Sequence, residues 1–387
     1  MKLFVLLSRF PYPLEKGDKL RAYHQIKELS KNHEIHLFCL TDTPILPAWK
    51  AEIAKFCESI EIAKLSKLLI YWNTATKLIS DKPYQVGYFY QSRIARRIHQ
   101  RIKELQPDHI YCQLIRTAEY VKNILNIPKT IDYQDALSKG MFRRAELANG
   151  IYKRMFLSEG KRLSEYENRI FDYFNNHVII SEQDRNFINH PSNKEIVIVE
   201  NGIADKFFEY EKTDTPKNEL VFTGNMNYPP NIQCSEFIVN EILQLMSADI
   251  KLVLAGASPH ERIQSLALDG KITVTGWVED IRDAYAAGKV FTAPLFIGTG
   301  LQNKLLEAMA MGVPCVTTSL ANNALKATPD EHILIAETAQ EFANKIRNLL
   351  EDPQLYARIS KSGKSFVKEN FSWERSVRKL EQLFQKQ

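Results

Sequence analysis

The feature that most constrains the fold of this 387-residue chain is the alternation of continuous apolar runs with helix-length polar or amphipathic segments. Several runs are apolar at successive positions, which is typical of strands buried on both faces of a parallel sheet. Two successive series of such βα units predict an α/β protein with two doubly wound, Rossmann-like domains. The first series comprises residues 3–7, 35–40, 109–112, 130–133 and 177–181, and the second comprises 196–199, 220–223, 251–255, 272–275, 290–293 and 314–317.

A polar, proline-containing stretch at 189–195 interrupts this pattern and predicts the domain boundary. We therefore expect a first domain at 1–190 and a second at 191–371. The remaining segment, 372–387, carries apolar residues at helical spacing and predicts a helix that covers an apolar surface.

Composition narrows the class of protein. The chain is 44% hydrophobic and 25% charged, which is usual for a globular protein with large cores. Its five cysteines form no Cys-x-x-Cys motif, which favours free thiols in a reducing compartment. Because no apolar run approaches 18 residues and the first run at 3–7 suits a strand, we expect a cytoplasmic protein.

Charge is distributed unevenly along the chain. Residues 1–190 hold 30 Lys and Arg against 21 Asp and Glu, a net +9, whereas residues 191–387 hold 21 against 25, a net −4. A basic first half could attract nucleic acid, an anionic lipid surface or a phosphorylated substrate. Since no nucleic-acid-binding motif accompanies it, we do not expect a nucleic-acid partner.

The stretch FIGTGLQNKLLEAMAMGVPCVTT at 296–318 predicts a glycine loop that turns into a short helix and then a buried strand. The first amides of a helix lack internal partners and attract anions such as phosphate. Lys304 and Glu307 lie one turn apart on this helix, where an ammonium group could bind a phosphate and a carboxylate could bind ribose hydroxyls. The alternative is an ordinary surface ion pair between them.

Two further glycines follow predicted strands. Gly17 comes after the first strand of the first domain, and Gly224 with Asn225 comes after the corresponding strand of the second. Ligands of doubly wound sheets bind beyond the carboxyl ends of the strands, so we expect a ligand in a cleft lined by such loops.

Six segments in the second half resemble, in order and spacing, group 1 (family 4) glycosyltransferases of the GT-B fold. Two segments of the first half, 8–40 and 131–138, are similar to bacterial sugar transferases of surface polysaccharide production, of the exosortase-system kind. The six segments are VENGI (199–203), VFTGNMNYPPN (221–231), LVLAGASP (252–259), VTGWVEDIRDAY (274–285), VFTAPLFIGTGLQNKLLEAMAMGVPCVTT (290–318) and FSWE (371–374).

The resemblance implies that the second domain binds a nucleoside diphosphate sugar, that the first binds a glycan or lipid-linked acceptor, and that the last helix crosses back to the first domain. It implies that Glu307 binds the ribose and that Trp277 and Val278 lie beside the base. The backbone amides of Gly300, Leu301 and Gln302 would bind the pyrophosphate. The loop at Gly17 would lie near the reacting centre.

Two positions depart from the family pattern. Thr299 stands where many members have a glutamate that contacts the donor sugar, and the segment from Asn225 lacks the Arg and Lys that usually hold the pyrophosphate. We hypothesise that Lys304 supplies the missing cation.

No Asp-x-Asp motif occurs in the chain, so we expect no metal and no other cofactor besides the nucleotide sugar. The resemblance implies transfer with retention of anomeric configuration. Asp135 stands where many relatives have a histidine near the anomeric carbon, which makes it a candidate catalytic partner. Its alternative role is to cap the helix that follows.

Residues 65–79, LSKLLIYWNTATKLI, are apolar and aromatic with flanking lysines at 64, 67 and 77. This composition suggests a peripheral membrane contact, aided by arginines at 93, 96, 97 and 101. The alternative is a helix packed on the sheet. Two other functions also stay open: a nucleotide-sugar epimerase of the same architecture and a non-catalytic module that binds sugar nucleotides.

Overall fold

The computed structural model describes residues 1–14, 16–76, 82–210, 216–296 and 301–385. Within these ranges the chain folds into two compact units, one formed by residues 1–201 with 373–387 and the other by 202–372. Each unit is built on one parallel sheet. The predicted pair of parallel α/β sheets is therefore confirmed.

The described residues of the first unit form seven strands in the order β3-β2-β1-β4-β5-β6-β7. From the centre outward this is the doubly wound order, with β1 between β2 and β4. The strands are β1 (Lys2–Leu7), β2 (Glu34–Thr41), β3 (Ser59–Lys64), β4 (His109–Gln113), β5 (Lys129–Gln134), β6 (Asn176–Ile179) and β7 (Val197–Ile198).

Helices cover both faces of the first sheet. Alternate residues of β1 enter two different cores, Leu3 and Val5 on one face and Phe4 and Leu6 on the other, which explains the continuous apolar run. The helices are α1 (Gly17–Leu29), α2 (Pro47–Ala54), α3 (Lys67–Thr76), α4 (Tyr84–Phe89), α5 (Ser92–Leu105), α6 (Leu137–Leu147), α7 (Gly150–Phe171) and α8 (Glu182–Arg185), with 3₁₀ turns at Ile115–Tyr120 and Asn193–Glu195.

The second unit repeats this topology, and its described part has six strands in the order β10-β9-β8-β11-β12-β13. Its strands are β8 (Asn218–Thr223), β9 (Leu252–Ala255), β10 (Ile272–Gly276), β11 (Gly288–Ala293), β12 (Cys315–Thr317) and β13 (Leu334–Ile335). Its helices are α9 (Asp205–Phe208), α10 (Pro229–Phe237), α11 (Glu261–Gln264), α12 (Ile281–Ala286), α13 (Asn303–Ala310), α14 (Ser319–Leu325), α15 (Ala339–Glu351) and α16 (Pro353–Asn370), with short 3₁₀ or π segments at Ile238–Ile242 and Leu243–Leu245.

The last helix, α17 (Trp373–Gln385), belongs to the first unit. Its buried residues Val377 and Leu380 share a core with Ile26 of α1 and with Leu3 of β1. The Trp373 ring stacks on His24 at 4.8 Å between ring centroids. This packing accounts for the apolar stripe in the sequence.

The first unit extends beyond the predicted boundary at residue 190. The run 196–199, which the sequence pattern assigns to the second series, forms β7 and pairs with β6 of the first sheet. A buried side chain ties this segment down further, since Arg21 Nη1 donates to the carbonyl oxygen of Val199 at 2.8 Å. The chain therefore leaves the first unit only after Asn201.

Candidate functional site

The candidate site lies beyond the carboxyl ends of the two central strands of the second sheet. β8 and β11 are neighbours, and helices leave them in opposite directions along the sheet, which is the switch point where doubly wound folds bind ligands. Gly224 follows β8 directly, and α13 follows β11 after a connecting segment. Part of that segment, residues 297–300, lies outside the described residues, so the predicted donor contacts of Thr299 and Gly300 have no structural account.

Lys304 projects from the first turn of α13 toward the end of β8. Its Nζ donates to Asn231 Oδ1 at 2.5 Å and lies 4.6 Å from the centroid of the Phe222 ring. Burial lowers the pKa of Lys304 to about 8, although Cys234 and Glu307 act in the opposite direction. The ammonium group thus has a neutral amide as its hydrogen-bond partner within the described part of the chain.

Gly224 and Asn225 form the wall beside that ammonium group. A Cβ on Gly224 would lie 2.6 Å from Asn231 Nδ2 and 3.1 Å from Lys304 Nζ, so a side chain here would displace both groups. Asn231 Nδ2 also donates to the Asn225 carbonyl oxygen at 2.8 Å. Asn231 therefore positions the loop and the lysine together, a role that the spacing of the residues could not reveal.

Glu307 lies one turn further along α13 and has a different partner. The Tyr285 hydroxyl donates to Glu307 Oε2 at 2.7 Å, and Thr223 Oγ1 donates to the Tyr285 oxygen at 2.9 Å. Burial raises the pKa of Glu307, and the hydrogen bond from Tyr285 opposes that shift. Tyr285 thus holds the carboxylate in place through Oε2, and no described residue donates to its other oxygen.

The surface ion pair between Lys304 and Glu307 is not formed. Each residue bonds to a side chain from another element, Asn231 of α10 in one case and Tyr285 of α12 in the other. Neither makes an ion pair with any residue in the described ranges. The alternative interpretation of this i, i+3 pair is therefore wrong.

Trp277 and Val278 follow β10, two strands away from β8. The Trp277 side chain is 71% exposed, and Val278 is half-buried. Their loop is linked to Gly224 through Gly256, whose amide donates to the Gly276 carbonyl oxygen at 3.0 Å. A Cβ on Gly256 would lie 1.7 Å from the Gly224 carbonyl oxygen, so the two loops pack backbone to backbone.

Leu301 and Gln302 precede α13. Leu301 packs against the core of the second unit, and Gln302 is the N-cap residue, without a side-chain cap bond. The Gln302 side chain therefore does not accept a hydrogen bond from the first backbone amides of α13. Within the described ranges no group of three His, Cys, Asp or Glu could hold a metal ion, and the metal-independence of the site stays a prediction.

The two remaining predicted residues, Gly17 and Asp135, lie in the first unit. Gly17 begins α1, and a Cβ there would make only ordinary contact, 3.7 Å from Gln134 Nε2. Asp135 lies in the wall of a cavity, where burial and the nearby Asp184 raise its pKa to about 6 although its side chain reaches solvent. It does not cap α6, because that helix starts at Leu137 with Ala136 as its N-cap.

With this geometry in view, comparison with known proteins identifies the second unit. Residues 217–352 match the family model of the glycosyl transferases group 1. The second unit therefore contains a group 1 glycosyltransferase domain.

Two curated relatives are similar to this chain over different lengths. An uncharacterised 44.6 kDa protein in the cps region of Klebsiella pneumoniae is 24% identical over 96% of both chains. An uncharacterised glycosyltransferase of Methanocaldococcus jannaschii is 28% identical over 54% of this chain and 58% of its own.

Among solved structures, Anabaena HepE in complex with UDP covers 99% of this chain and 99% of its own, with a TM-score of 0.66 at 16% identity. At this identity the likeness shows the fold, which is GT-B.

Proposed function

We propose that this glycosyltransferase moves a sugar from a nucleoside diphosphate sugar to a glycan or lipid-linked acceptor in surface polysaccharide biosynthesis, with retention and without a metal. The carrying observation is the Lys304 ammonium group, which lies beside Gly224 at the strand ends with a neutral hydrogen-bond partner. Such a cation can bind a diphosphate without first breaking an ion pair.

The chemistry requires negative charge to be stabilised on the leaving group. As the bond between the anomeric carbon and the diphosphate oxygen breaks, a bond forms from the acceptor oxygen to that carbon. The acceptor proton passes to the departing phosphate oxygen on the same face. Lys304 and the first amides of α13 stabilise the diphosphate charge, a role that preorganised donors perform without reorganisation cost.

The other residues fit the parts of a nucleotide. Glu307, held by Tyr285, accepts hydrogen bonds from the ribose hydroxyls. The exposed Trp277 ring offers an apolar face to the base. Solved relatives of the same fold support a uridine nucleotide as one candidate, because HepE is known in complexes with UDP and with UDP-glucose.

The proposed cellular role rests on the relative encoded in a cps region. A peripheral membrane contact would suit a lipid-linked acceptor. On α3, Ile70 packs in the core of the first unit, whereas the side chains of Leu68, Tyr71 and Trp72 are 81%, 74% and 70% exposed and leave an apolar face for this contact. No helix in the described ranges is long and apolar enough to cross a membrane.

The basic residues near α3 differ in their availability. Arg97 and Arg101 pair with Glu61, at 2.9 Å and 2.8 Å, and so contribute less to binding of anionic lipid than the exposed Arg93 and Arg96. Co-sedimentation with anionic liposomes at low salt tests the contact. We expect the wild-type protein to sediment with the liposomes and its Trp72→Ser variant to stay in the supernatant. A wild-type protein that stays in the supernatant would contradict the proposed membrane contact.

A thermal-shift screen against UDP, GDP, ADP, dTDP and CMP, with and without EDTA, tests the donor proposal. A ligand at 100 times its dissociation constant stabilises the folded state by about 2.7 kcal/mol. We expect a shift with one nucleotide that EDTA does not abolish and that Lys304→Met reduces. Loss of the shift with EDTA, or an unchanged shift in the variant, would contradict the proposal.

Turnover distinguishes the alternatives. Transfer releases the free nucleotide, an epimerase yields a new sugar nucleotide, and a binding module yields neither. The anomeric configuration of the product, read by NMR, tests retention.

A further inference from the structure

A cavity of about 510 Å³ opens at the carboxyl ends of the first sheet. Arg9 follows β1, Arg116 follows β4 and Asp135 follows β5, so all three enter it from the strand ends. Side chains of α4, α6 and α7 form the remaining walls. The cavity therefore occupies the switch point of the first unit, the position that Lys304 and Gly224 occupy in the second.

Arg116 is the most informative residue of this cavity. Its Nε and Nη2 both donate to Gln85 Oε1, at 3.1 Å and 2.6 Å, and its guanidinium carbon lies 5.4 Å from the centroid of the Phe89 ring. In the described part of the chain it forms no ion pair. Burial lowers the pKa of Arg116 to about 10, with Arg9 adding repulsion, so the group is a partly buried cation held by a neutral amide.

Of the carboxylates around the cavity, Asp18 and Glu159 are engaged in hydrogen bonds, whereas Asp135 acts on Arg116 only through its charge and forms no ion pair with it. Asp18 accepts from Arg9 Nη1 at 2.6 Å. Glu159 accepts from the backbone amides of Tyr84 and Gln85, at 2.9 Å and 3.1 Å, at the start of α4. Arg144 of α6 also lines the cavity, and like Arg116 it forms no ion pair with a described residue. The walls therefore present two guanidinium groups that form no ion pair with a described residue.

The mouth of the cavity is apolar. Tyr152 and Met155 of α7 line it, and their side chains are 65% and 49% exposed. Ile151, next to them at the start of the same helix, is also 65% exposed. Exposed aromatic and aliphatic side chains beside basic residues are typical of surfaces that contact lipid.

We propose that this cavity binds an acceptor that carries a phosphate group on an apolar chain. Arg116 and Arg144 bind the phosphate, the start of α7 contacts the chain, and Asp135 lies in the same cavity as the acceptor's reacting end. The proposal rests on the proposed function and names its acceptor class. Bidentate guanidinium contacts suit phosphate oxygens, whereas a neutral glycan acceptor would need no such pair of cations.

Binding of three probes to the full chain tests this proposal: a C15 prenyl diphosphate below its micelle concentration, the uncharged C15 prenol and inorganic pyrophosphate. By titration calorimetry we expect the prenyl diphosphate to bind at least tenfold more tightly than either of the others. Arg144→Gln and Arg116→Gln should each weaken it about tenfold. Arg143→Gln, the neighbouring surface position outside the cavity, is the matched control and should have no effect.

The outcomes separate the sources of the anion. Equal binding of pyrophosphate and prenyl diphosphate would mean a free-phosphate site and would overturn the proposal. Wild-type affinity in both arginine variants, with thermal unfolding showing that they are folded, would overturn it too. The double variant Tyr152→Ser/Met155→Ser should weaken the prenyl diphosphate about tenfold and leave pyrophosphate unchanged.

The test also separates this inference from the proposed function. Lys304→Met should weaken the nucleotide and leave the prenyl diphosphate unaffected. If the nucleotide binds and depends on Lys304 while no prenyl probe binds, the acceptor inference alone fails. If no nucleotide binds, the proposed function fails regardless of the prenyl result.

Discussion

Both units bury a cation and a carboxylate near the ends of their central strands, but they pair them differently. In the first unit Arg21 Nε donates to Asp132 Oδ2 at 2.7 Å, and both side chains are fully buried. In the second unit Lys304 bonds to Asn231 and Glu307 to Tyr285, so neither forms an ion pair with a described residue. A buried charge with a charged partner serves the fold, whereas one held by neutral groups keeps its charge available for a ligand.

The Arg21 pair gives the largest expected effect. Tyr111 and Gln25 also donate to Asp132 Oδ2, at 2.6 Å and 3.2 Å, so the carboxylate is fixed in the core. Arg21→Met leaves it buried without a countercharge, and we expect the free energy of unfolding to fall by about 3–5 kcal/mol. Denaturant unfolding measures this loss.

The control is Arg378→Met, which removes an exposed pair with Glu374 on α17. Exposed pairs contribute about 0–1 kcal/mol. Similar losses in the two variants would break the comparison, because the buried pair would then not serve the fold.

Lys304→Met should have the opposite effects to Arg21→Met, with a loss of activity and no loss of stability. We expect kcat/KM to fall about 10²–10³-fold, as on removal of a group that stabilises transition-state charge. The free energy of unfolding should stay the same or rise, because a partly buried cation is replaced by an apolar side chain of similar length. Lys361→Met, on the exposed side of α16, is the control for both measurements. A stability loss without a kinetic loss would assign Lys304 to the fold.

The pH dependence of donor binding sharpens the same comparison. The pKa of Lys304 is lowered to about 8, so the free protein carries this charge below pH 8 and loses it above. Donor affinity should therefore fall as pH rises past 8, approaching a tenfold loss per pH unit, and the Met variant should lack this dependence. Titration calorimetry from pH 6.5 to 9.5 measures it. A donor affinity that does not change with pH in the wild-type protein would argue against binding of the diphosphate by the Lys304 charge.

The same shift predicts a stability effect of opposite sign. Because the folded pKa of Lys304 lies below that of the unfolded chain, the unfolded state binds more protons between about pH 8 and 10. This group alone therefore makes unfolding less favourable as pH rises through that window, while ligand binding weakens.

Tyr285→Phe should give the smallest effect. It removes the hydroxyl that holds Glu307, a hydrogen bond worth about 0.5–1.5 kcal/mol, so kcat/KM should fall about two- to tenfold. The loss should appear in KM for the donor, because the ribose contact precedes the chemical step. Tyr356→Phe, which removes a hydroxyl bond to the Lys289 carbonyl oxygen, is the matched control. An effect on kcat alone would contradict the positioning role.

Most strands that the sequence predicts are buried on both faces, although the edge strand β10 is predicted too, with only Ile272 of its five residues buried. β3 was missed because only Ala63 of its six residues is buried, as befits an edge strand, and β13 because it is two residues long. β7 was assigned to the wrong sheet, since a short apolar run does not reveal which neighbour it pairs with.

The sequence predicts the parts of the site that lie on one element, but not the contacts between elements. The spacing of Lys304 and Glu307 places them on one helix, but it cannot show that Asn231, 73 positions away, accepts a hydrogen bond from the lysine. Likewise Arg9, Arg116 and Arg144 meet because the strand order brings distant loops together. A search for basic residues immediately after each predicted strand would have found Arg9.

The position of α17 has a consequence for biosynthesis. A ribosome makes this helix after the entire second unit, yet its Val377 and Leu380 cover the same apolar layer as Leu3 and Val5, which are made before that unit. Until then that layer faces water or a chaperone, so the nascent first unit stays incomplete while the second folds. A chain stalled on the ribosome within the second unit would therefore expose an apolar, aggregation-prone surface on its first unit.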